Sequence, residues 1–590
     1  MPTRPSRSKS VLLAFVSTVL ISAHAPSWAE VEKAAQRKKP SSIIRYDTIH
    51  HPIVAREAMV VSQRRLASQV GVAILEQGGN AVDAAVAVGY ALAVLLPRAG
   101  NIGGGGFMMV YLADEDKTIA IDYRETAPRK AHKDLYLNAD GTVDRSAYRS
   151  GIRSAAVPGT VAGLSHALEK YGTLPLKTVI QPAIDLAAQG FTMDYDTASA
   201  ILTRESMLKR DPSTAEIFFK ADGSPYMAGE PFVQADLAQT LKAIQQGGPR
   251  AFYEGKIADQ IVQHMERADG LITHSDLANY KAVERTPVEG SYRGHKILSM
   301  PPPSSGGVHV VQMLNILENF DLASMGANSA DALHLIAESM RHAYADRSRH
   351  LGDPDFYQVP IDWISSKSYA KEIADRLSLS QAVPSEQVLP GVAPPYESND
   401  TTHFSVVDKD GNAVSNTYTL NFSFGSGVVI EGAGFIINNE MTDFNAKSGT
   451  ADAFGLIGGQ ANSIQPFKRP LSAMTPTLVF KDGKLLLVTG SPGGSRIINT
   501  VLQQIVNVID FKMNIASATH APRIHHQWQP DKLEVESSLG FDTRVLLQQK
   551  GHKVVQSGTM GSLQSIMLQD GLKMGAADPR RPGAGAVGVR

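Results

Sequence analysis

The pattern of apolar positions along the chain changes character near residue 400. Before that point apolar residues recur at helical spacing, as in Leu333, Ile336, Met340 and Ala343 within Asp331 to Arg347, the repeat of a helix with one buried face. Ala81 to Leu96 is almost wholly apolar and stops before Pro97, but it has only 16 residues and includes Asp83. A bilayer span needs about 20 apolar residues. This stretch, rich in Ala, Val and Gly, is therefore expected as a helix buried on all sides. The helical runs are broken by Asn101-Ile-Gly-Gly-Gly-Gly106, Val157-Pro-Gly159 and Met300-Pro-Pro-Pro-Ser-Ser-Gly-Gly307. After residue 400, Thr401 to Val407 and Ala413 to Asn421 flank the turn signal Asp408-Lys-Asp-Gly-Asn412. Leu478 to Phe480 and Leu485 to Thr489 flank Lys481-Asp-Gly-Lys484 in the same way, so both pairs read as hairpins. Helical spacing returns at Thr500 to Asp510. Between the two regimes Gln387 to Asp400, with Pro390, Pro394 and Pro395, reads as an exposed linker. Helices before strands, with more helix behind, suggest a layered α/β or α+β architecture.

The extreme N-terminus departs from this pattern. Arg4, Arg7 and Lys9 precede a 13-residue apolar run, Val11 to Ala23, and Ser27-Trp28-Ala29 ends it with small residues. These are the parts of a secretory signal peptide with cleavage expected after Ala29. Its apolar run is short for a membrane anchor. The mature chain would have 561 residues and a net charge of −4.

Composition narrows the chemistry. The 57 Lys and Arg balance 58 Asp and Glu, which argues against nucleic acid or an anionic membrane as the main partner, since both favour basic excess. There is no cysteine. Disulfides, thiolate metal sites, iron–sulfur clusters and a catalytic thiol are thereby excluded. By length alone, 590 residues would make about four domains.

Several motifs fail on their surroundings. Gly583-x-Gly585-x-x-Gly588 has no helix after it to hold a pyrophosphate, because Arg590 ends the sequence. Asn421-Phe-Ser423-Phe-Gly425 lacks the first glycine of a nucleophile elbow. Asp408, Asp410 and Asn412 begin like a calcium loop, but Ala413 stands where glycine is required. His525-His526 is adjacent, not at i, i+4, so no metal site is expected.

The junction Asp400-Thr401-Thr402-His403 remains. A linker there runs into a strand that opens on a hydroxyl residue. Threonine is also simply common in strands. A chain cut before Thr401 would nonetheless combine a hydroxyl nucleophile with an α-amino base of pKa about 7.7–8.0. A hairpin turning about Asp410-Gly411 would set Thr401 opposite Leu420, between Thr419 and Asn421. Gly490-Ser-Pro-Gly-Gly494, after the strand ending at Thr489, offers backbone N–H groups for an oxyanion or else a tight strand-to-helix connection.

Taken together these segments resemble the gamma-glutamyltranspeptidases of the N-terminal nucleophile hydrolase superfamily. The resemblance runs from about Gly78 to Asp578. Its carriers are Gly78-Gly-Asn-Ala-Val-Asp-Ala-Ala85, Gly103 to Gly106, Asp122-Tyr-Arg-Glu125, Thr401-Thr-His-Phe-Ser405, Asn438-Asn439, Lys468-Arg-Pro-Leu-Ser472, Met474-Thr-Pro-Thr477 and Thr489-Gly-Ser-Pro-Gly-Gly494. It implies an α+β fold, a four-layer αββα sandwich forming one domain. It also implies self-cleavage at Asp400–Thr401 into a large subunit, 30–400, and a small one, 401–590, that stay together as a heterodimer. Thr401 would then take the γ-glutamyl group of glutathione or another γ-glutamyl compound and pass it to an amino acid, a peptide or water. Neither metal nor organic cofactor is implied. By the same resemblance Arg124, assisted by Ser472, would hold the substrate α-carboxylate, and Asn421, Glu440 and Asp443 its ammonium. Thr419 would stand beside the nucleophile, and Gly493 and Gly494 would form the oxyanion hole. Read without it, each of these acids would count as surface charge.

Two departures from the family pattern are visible. Ala473 stands where many relatives have a second serine, and Phe454, in the lid-like stretch Lys447 to Gly459, stands where some have tyrosine. The alternatives are a related acylase for glutaryl-cephalosporin side chains and a non-catalytic exported binding protein. A glutaryl group has no α-amino group, so Glu440 and Asp443 favour the amino-acid substrate. A periplasmic or secreted location follows from the leader, with no membrane association and no nucleic-acid partner.

Overall fold

The structure, a computed structural model, describes residues 48–388, 401–447 and 459–590. The leader, most of the linker and the lid-like stretch with Phe454 lie outside the described residues. The described residues fall in one compact unit.

Two seven-stranded sheets form the centre. The first runs, edge to edge, Gly585–Val589, Ala58–Ser62, Thr402–Val407, Ala413–Thr419, Gly105–Leu112, Lys117–Tyr123 and Val283–Arg285. The second runs Ile53–Ala55, Leu572–Ala577, Gln564–Gln569, Lys484–Thr489, Thr477–Lys481, His295–Ser299 and Val288–Tyr292. Every pairing in both is antiparallel. Between the sheets lie Met59, Val61, Phe107, Met109, Leu478 and Val488. The alternate residues Val60, Met108 and Val110 face a helical layer that includes Ala81–Leu95, Thr160–Tyr171 and Leu176–Gln189. Gly306–Leu317 packs on the far face of the second sheet and against Ala330–His350 and Arg496–Ile509. The architecture is thus the expected four-layer αββα sandwich.

Strands are not confined to the region after residue 400, as the apolar pattern suggests; each sheet draws on both sides of that point. The physical reason is double burial. Gly105–Leu112 is buried along almost its whole length and Ala58–Ser62 along all of it. A strand covered on both faces shows no alternation, only a short apolar run.

Ala81–Leu95 is buried at every position. Asp83, the residue that interrupts its apolar run, belongs to a capping box with Asn80 and also accepts from the N–H groups of Thr173 and Leu174. Such a cap contributes about 1 kcal/mol. Among the described residues no helix is long and apolar enough to cross a membrane.

The hairpin after residue 400 differs in register from the expectation. Val407 pairs with Ala413 and Thr402 with Tyr418, which aligns Thr401 with Thr419, not Leu420. The loop has five residues, an odd number, because the Asp408 carboxylate accepts from the N–H groups of both Asp410 and Asn412. The same carboxylate accepts from Ala81 N–H at 2.9 Å, docking the turn on the buried helix. The second strand ends at Thr419, not Asn421. Ser385–Val388 is a short helix with Ser385 buried, so the linker does not begin at Gln387 as the prolines suggest.

Candidate active site

Thr401 immediately precedes the strand Thr402–Val407, and register places it beside the last residue of the partner strand. Its hydroxyl donates to the Thr419 hydroxyl oxygen at 3.3 Å, and both residues are buried. Thr419 Oγ1 also accepts from Asn421 N–H at 2.8 Å. His403, two residues on, is not part of this arrangement. Its ring sits in the core, bonded to Thr417 and Ser405, and burial pushes its pKa down to about 3.

Asn421 adopts a left-handed conformation, φ 75°, which asparagine tolerates better than most residues. This turn sends its amide toward the short helical turn Glu440–Asp443. There Nδ2 donates to Thr442 Oγ1 at 2.6 Å and to Asp443 Oδ1 at 3.1 Å. Arg124 follows the strand Lys117–Tyr123 and is wholly buried. Its guanidinium pairs with both Glu440 and Asp443, and Nε donates to Pro470 O at 3.2 Å.

Burial alone would lower the Arg124 pKa, but the carboxylates of Glu440, Asp443 and Glu125 outweigh it and hold the group charged. Glu125 lies 3.5 Å from the guanidinium. Three buried acids thus crowd one arginine. Desolvation raises all three pKa values; that of Glu125 reaches about 8, while Arg124 pulls each back. Asn421 Oδ1 and Glu440 Oε2 have no hydrogen-bond partner among the described residues. Buried acceptors in that condition are costly unless something donates to them, and an ammonium group is such a donor.

The loop carrying Ser472 and Ala473 is held by the proline-rich breaker of the first half. Ser472 N–H donates to Pro303 O at 2.8 Å, and Ser305 N–H donates to Ser472 O at 2.9 Å. Gly493 and Gly494 have φ of 137° and 56°, a backbone that side-chain-bearing residues rarely adopt. They begin the turn into the helix Arg496–Ile509, and among the described residues no partner accepts from Gly494 N–H. Arg124, Thr401, Thr419, Asn421, Glu440, Asp443, Ser472 and Gly494 line a single pocket. Its free volume is only about 20 Å³, room for one water at most, because the arginine and the two acids close on one another.

The sequence profile of the family described as Gamma-glutamyltranspeptidase matches residues 67–588. The chain belongs to the gamma-glutamyltranspeptidase family. The glutathione hydrolase proenzyme of Escherichia coli K12 is 53% identical over 548 residues, which cover 93% of this chain and 94% of that protein. Among solved structures, Helicobacter pylori gamma-glutamyltranspeptidase is 46% identical with a TM-score of 0.55, covering 55% of this chain and 93% of that one. A cephalosporin acylase from Bacillus halodurans shares the fold with a TM-score of 0.81 at 26% identity, covering 94% of this chain and 99% of that one.

Within this gamma-glutamyltranspeptidase-family pocket, sequence reasoning missed Arg347, Leu471, Met474, Ser495 and Ile497. Arg347 is buried and donates from Nε to Ser305 Oγ at 2.9 Å. It sits in the last turn of Ala330–His350, where a cation reads as a complement to the helix dipole, so nothing local marked it. Ala473, one of the two departures from the family pattern, lines the pocket as well. Elsewhere, His334, Glu338 and His552 bring three possible metal ligands within 4.8 Å. Most of their donors and acceptors are engaged otherwise, His552 Nδ1 excepted. His334 bonds His552 at 2.8 Å and Ser378 O at 2.7 Å, and Glu338 pairs with Arg341.

Proposed function

We propose that the protein is a gamma-glutamyltransferase and glutathione hydrolase that matures by cutting itself before Thr401. Thr401 Oγ attacks the carbonyl of Asp400, and the C–N bond between them breaks to leave an ester and a free Thr401 α-amino group. Water then hydrolyses the ester to release the Asp400 carboxylate and the Thr401 hydroxyl. The products are subunits of residues 30–400 and 401–590, held together by the shared sandwich. The solved Helicobacter pylori chain supports this division, since it is almost fully covered by little more than half of the present sequence.

In the mature site the Thr401 hydroxyl attacks the γ-carbonyl of the donor while its own α-amino group takes the proton and passes it to the amine that departs as the γ-amide bond breaks. Thr419 orients that hydroxyl, and Gly493 and Gly494 stabilise the oxyanion. Glu440, Asp443 and Asn421 receive the substrate ammonium, and Arg124 with Ser472 receives its carboxylate, for which a planar guanidinium fork is suited. An amino acid, a peptide or water then takes the acyl group from Thr401. The carrying observation is that a buried arginine, buried acids and unpartnered acceptors share a pocket with a strand-opening threonine. A zwitterion supplies the partner each of these groups needs. A glutaryl group lacks the ammonium and would leave the acids without theirs. The leader-like N-terminus supports a location in the periplasm or outside the cell for the mature protein.

Denaturing electrophoresis together with anilide hydrolysis tests this. Two bands are expected, with γ-glutamyl-p-nitroanilide turned over far faster than glutaryl-p-nitroanilide. Equal turnover of the two would contradict the ammonium role of Glu440 and Asp443.

A further inference from the structure

A second pocket, of about 330 Å³, lies against the active site and differs from it in charge. Three arginines line it: Arg149, Arg204 from the helix Tyr195–Leu208, and Arg210 just beyond that helix. The hydroxyl residues Ser150, Thr203 and Ser206 stand among them, and among the described residues no carboxylate lines the space. Of the two acids adjacent in sequence, Glu205 pairs with Lys209 at 2.5 Å and Asp211 caps the helix Pro212–Phe218 by accepting from Thr214 N–H at 2.9 Å. Among the described residues no ion pair involves Arg204 or Arg210. The floor is Phe422 and Ser423, and the Arg149 guanidinium lies 5.6 Å from the Phe422 ring centre.

Phe422 directly follows Asn421, so one bend of chain forms the wall of both pockets. Asn439 ties them together. It accepts from Phe422 N–H at 3.1 Å, donates to Arg149 O at 2.9 Å, and its carbonyl accepts from Asn421 Nδ2 at 3.3 Å.

Resting on the γ-glutamyl reading above, we propose that the arginine pocket binds the terminal carboxylate of the peptide on the far side of the scissile amide. Clustered guanidinium and hydroxyl donors without an opposing acid are the chemistry that recognises a carboxylate. The same carboxylate can arrive on the donor's departing peptide or on an accepting one, and the pocket would thereby favour peptides over neutral amides.

The test is the double variant Arg204→Gln/Arg210→Gln, which alters one position on the helix and one just beyond it. Glutathione, whose departing part ends in a carboxylate, is compared with γ-glutamyl-p-nitroanilide, whose leaving group has none. Glycylglycine is compared with glycylglycine amide as acceptor. The glutathione-to-anilide ratio of kcat/KM is expected to fall about tenfold through KM, or the preference for glycylglycine over its amide to fall likewise. Loss in the first ratio assigns the carboxylate to the donor, and loss in the second assigns it to the acceptor. Both ratios unchanged would overturn the proposal. A wild-type protein inert toward the anilide would instead refute the γ-glutamyl reading on which the pocket's assignment rests.

Discussion

At one end of the pocket Thr401 and Thr419 are neutral hydroxyls, set by the hydrogen-bonded ladder of a hairpin whose turn is pinned to a buried helix. At the other end Arg124 and Ser472 come from separate loops and Glu440 and Asp443 from one short helical turn, the arginine and the two acids being held by their mutual charges. The first end tolerates little movement, since a one-residue slip in register would turn Thr401 to the other face of its sheet. The second end is closed on itself, and on the proposed function it would part to admit the substrate, exchanging internal ion pairs for external ones. On the proposed function, chemistry is thus placed on rigid β-structure, whereas selectivity would rest on buried charges whose partners can be replaced.

Substitutions at the rigid end should have the largest effects. Thr401→Ala is expected to give one band on denaturing electrophoresis and a loss of anilide hydrolysis of about 10⁴-fold or more, the scale of removing a nucleophile. A variant that still matured and turned over would break the comparison at its firmer side. At the charged end, Asp443→Asn removes one carboxylate and leaves Glu440 on Arg124. KM for γ-glutamyl-p-nitroanilide should rise about 30- to 100-fold, in line with a lost charge-assisted hydrogen bond, and discrimination against the glutaryl analogue should shrink in parallel. An equal loss for both anilides would mean that the acid acts on the fold, not on the ammonium.

Thr419→Val tests whether the second hydroxyl only orients the first. A fall in kcat of about tenfold with KM little changed is expected, because the Thr401 side chain would lose one partner and keep its strand.

The smallest effect concerns Glu125. Burial raises its pKa from the ordinary 4.5 to about 8, so between those values the folded protein holds a proton that the unfolded chain has released. Stability therefore falls as pH rises through that window. Glu125→Gln should flatten this decline, with melting midpoints above pH 8 higher than wild type by about 1–2 °C. An unchanged pH slope would show that the proton is held elsewhere in the acid cluster.

The two ends also differ in how far the sequence reveals them. The hairpin, the buried helix at Ala81 and the strand-to-helix turn at Gly490 are written in local periodicity and turn residues, and register misses by one only because Asp408 sets an odd loop. Glu440 and Asp443 carry no local sign of burial. Their burial depends on Arg124, more than 300 residues away, and becomes readable only through family resemblance. Arg347 and the arginine pocket escape even that, because each reads as ordinary helix charge until the fold brings it beside the site. The strands Ala58–Ser62 and Gly105–Leu112 escape for the opposite reason, being apolar on both faces.

The most direct test of the central claim, that Thr401 is both the point of self-cleavage and the acyl carrier, is intact-mass and peptide mapping of protein quenched during turnover of γ-glutamyl-p-nitroanilide. The expected result is a small fragment beginning at Thr401 that carries the mass of one γ-glutamyl group on its first residue. A fragment beginning elsewhere, or an acyl group mapped to any other residue, would contradict it.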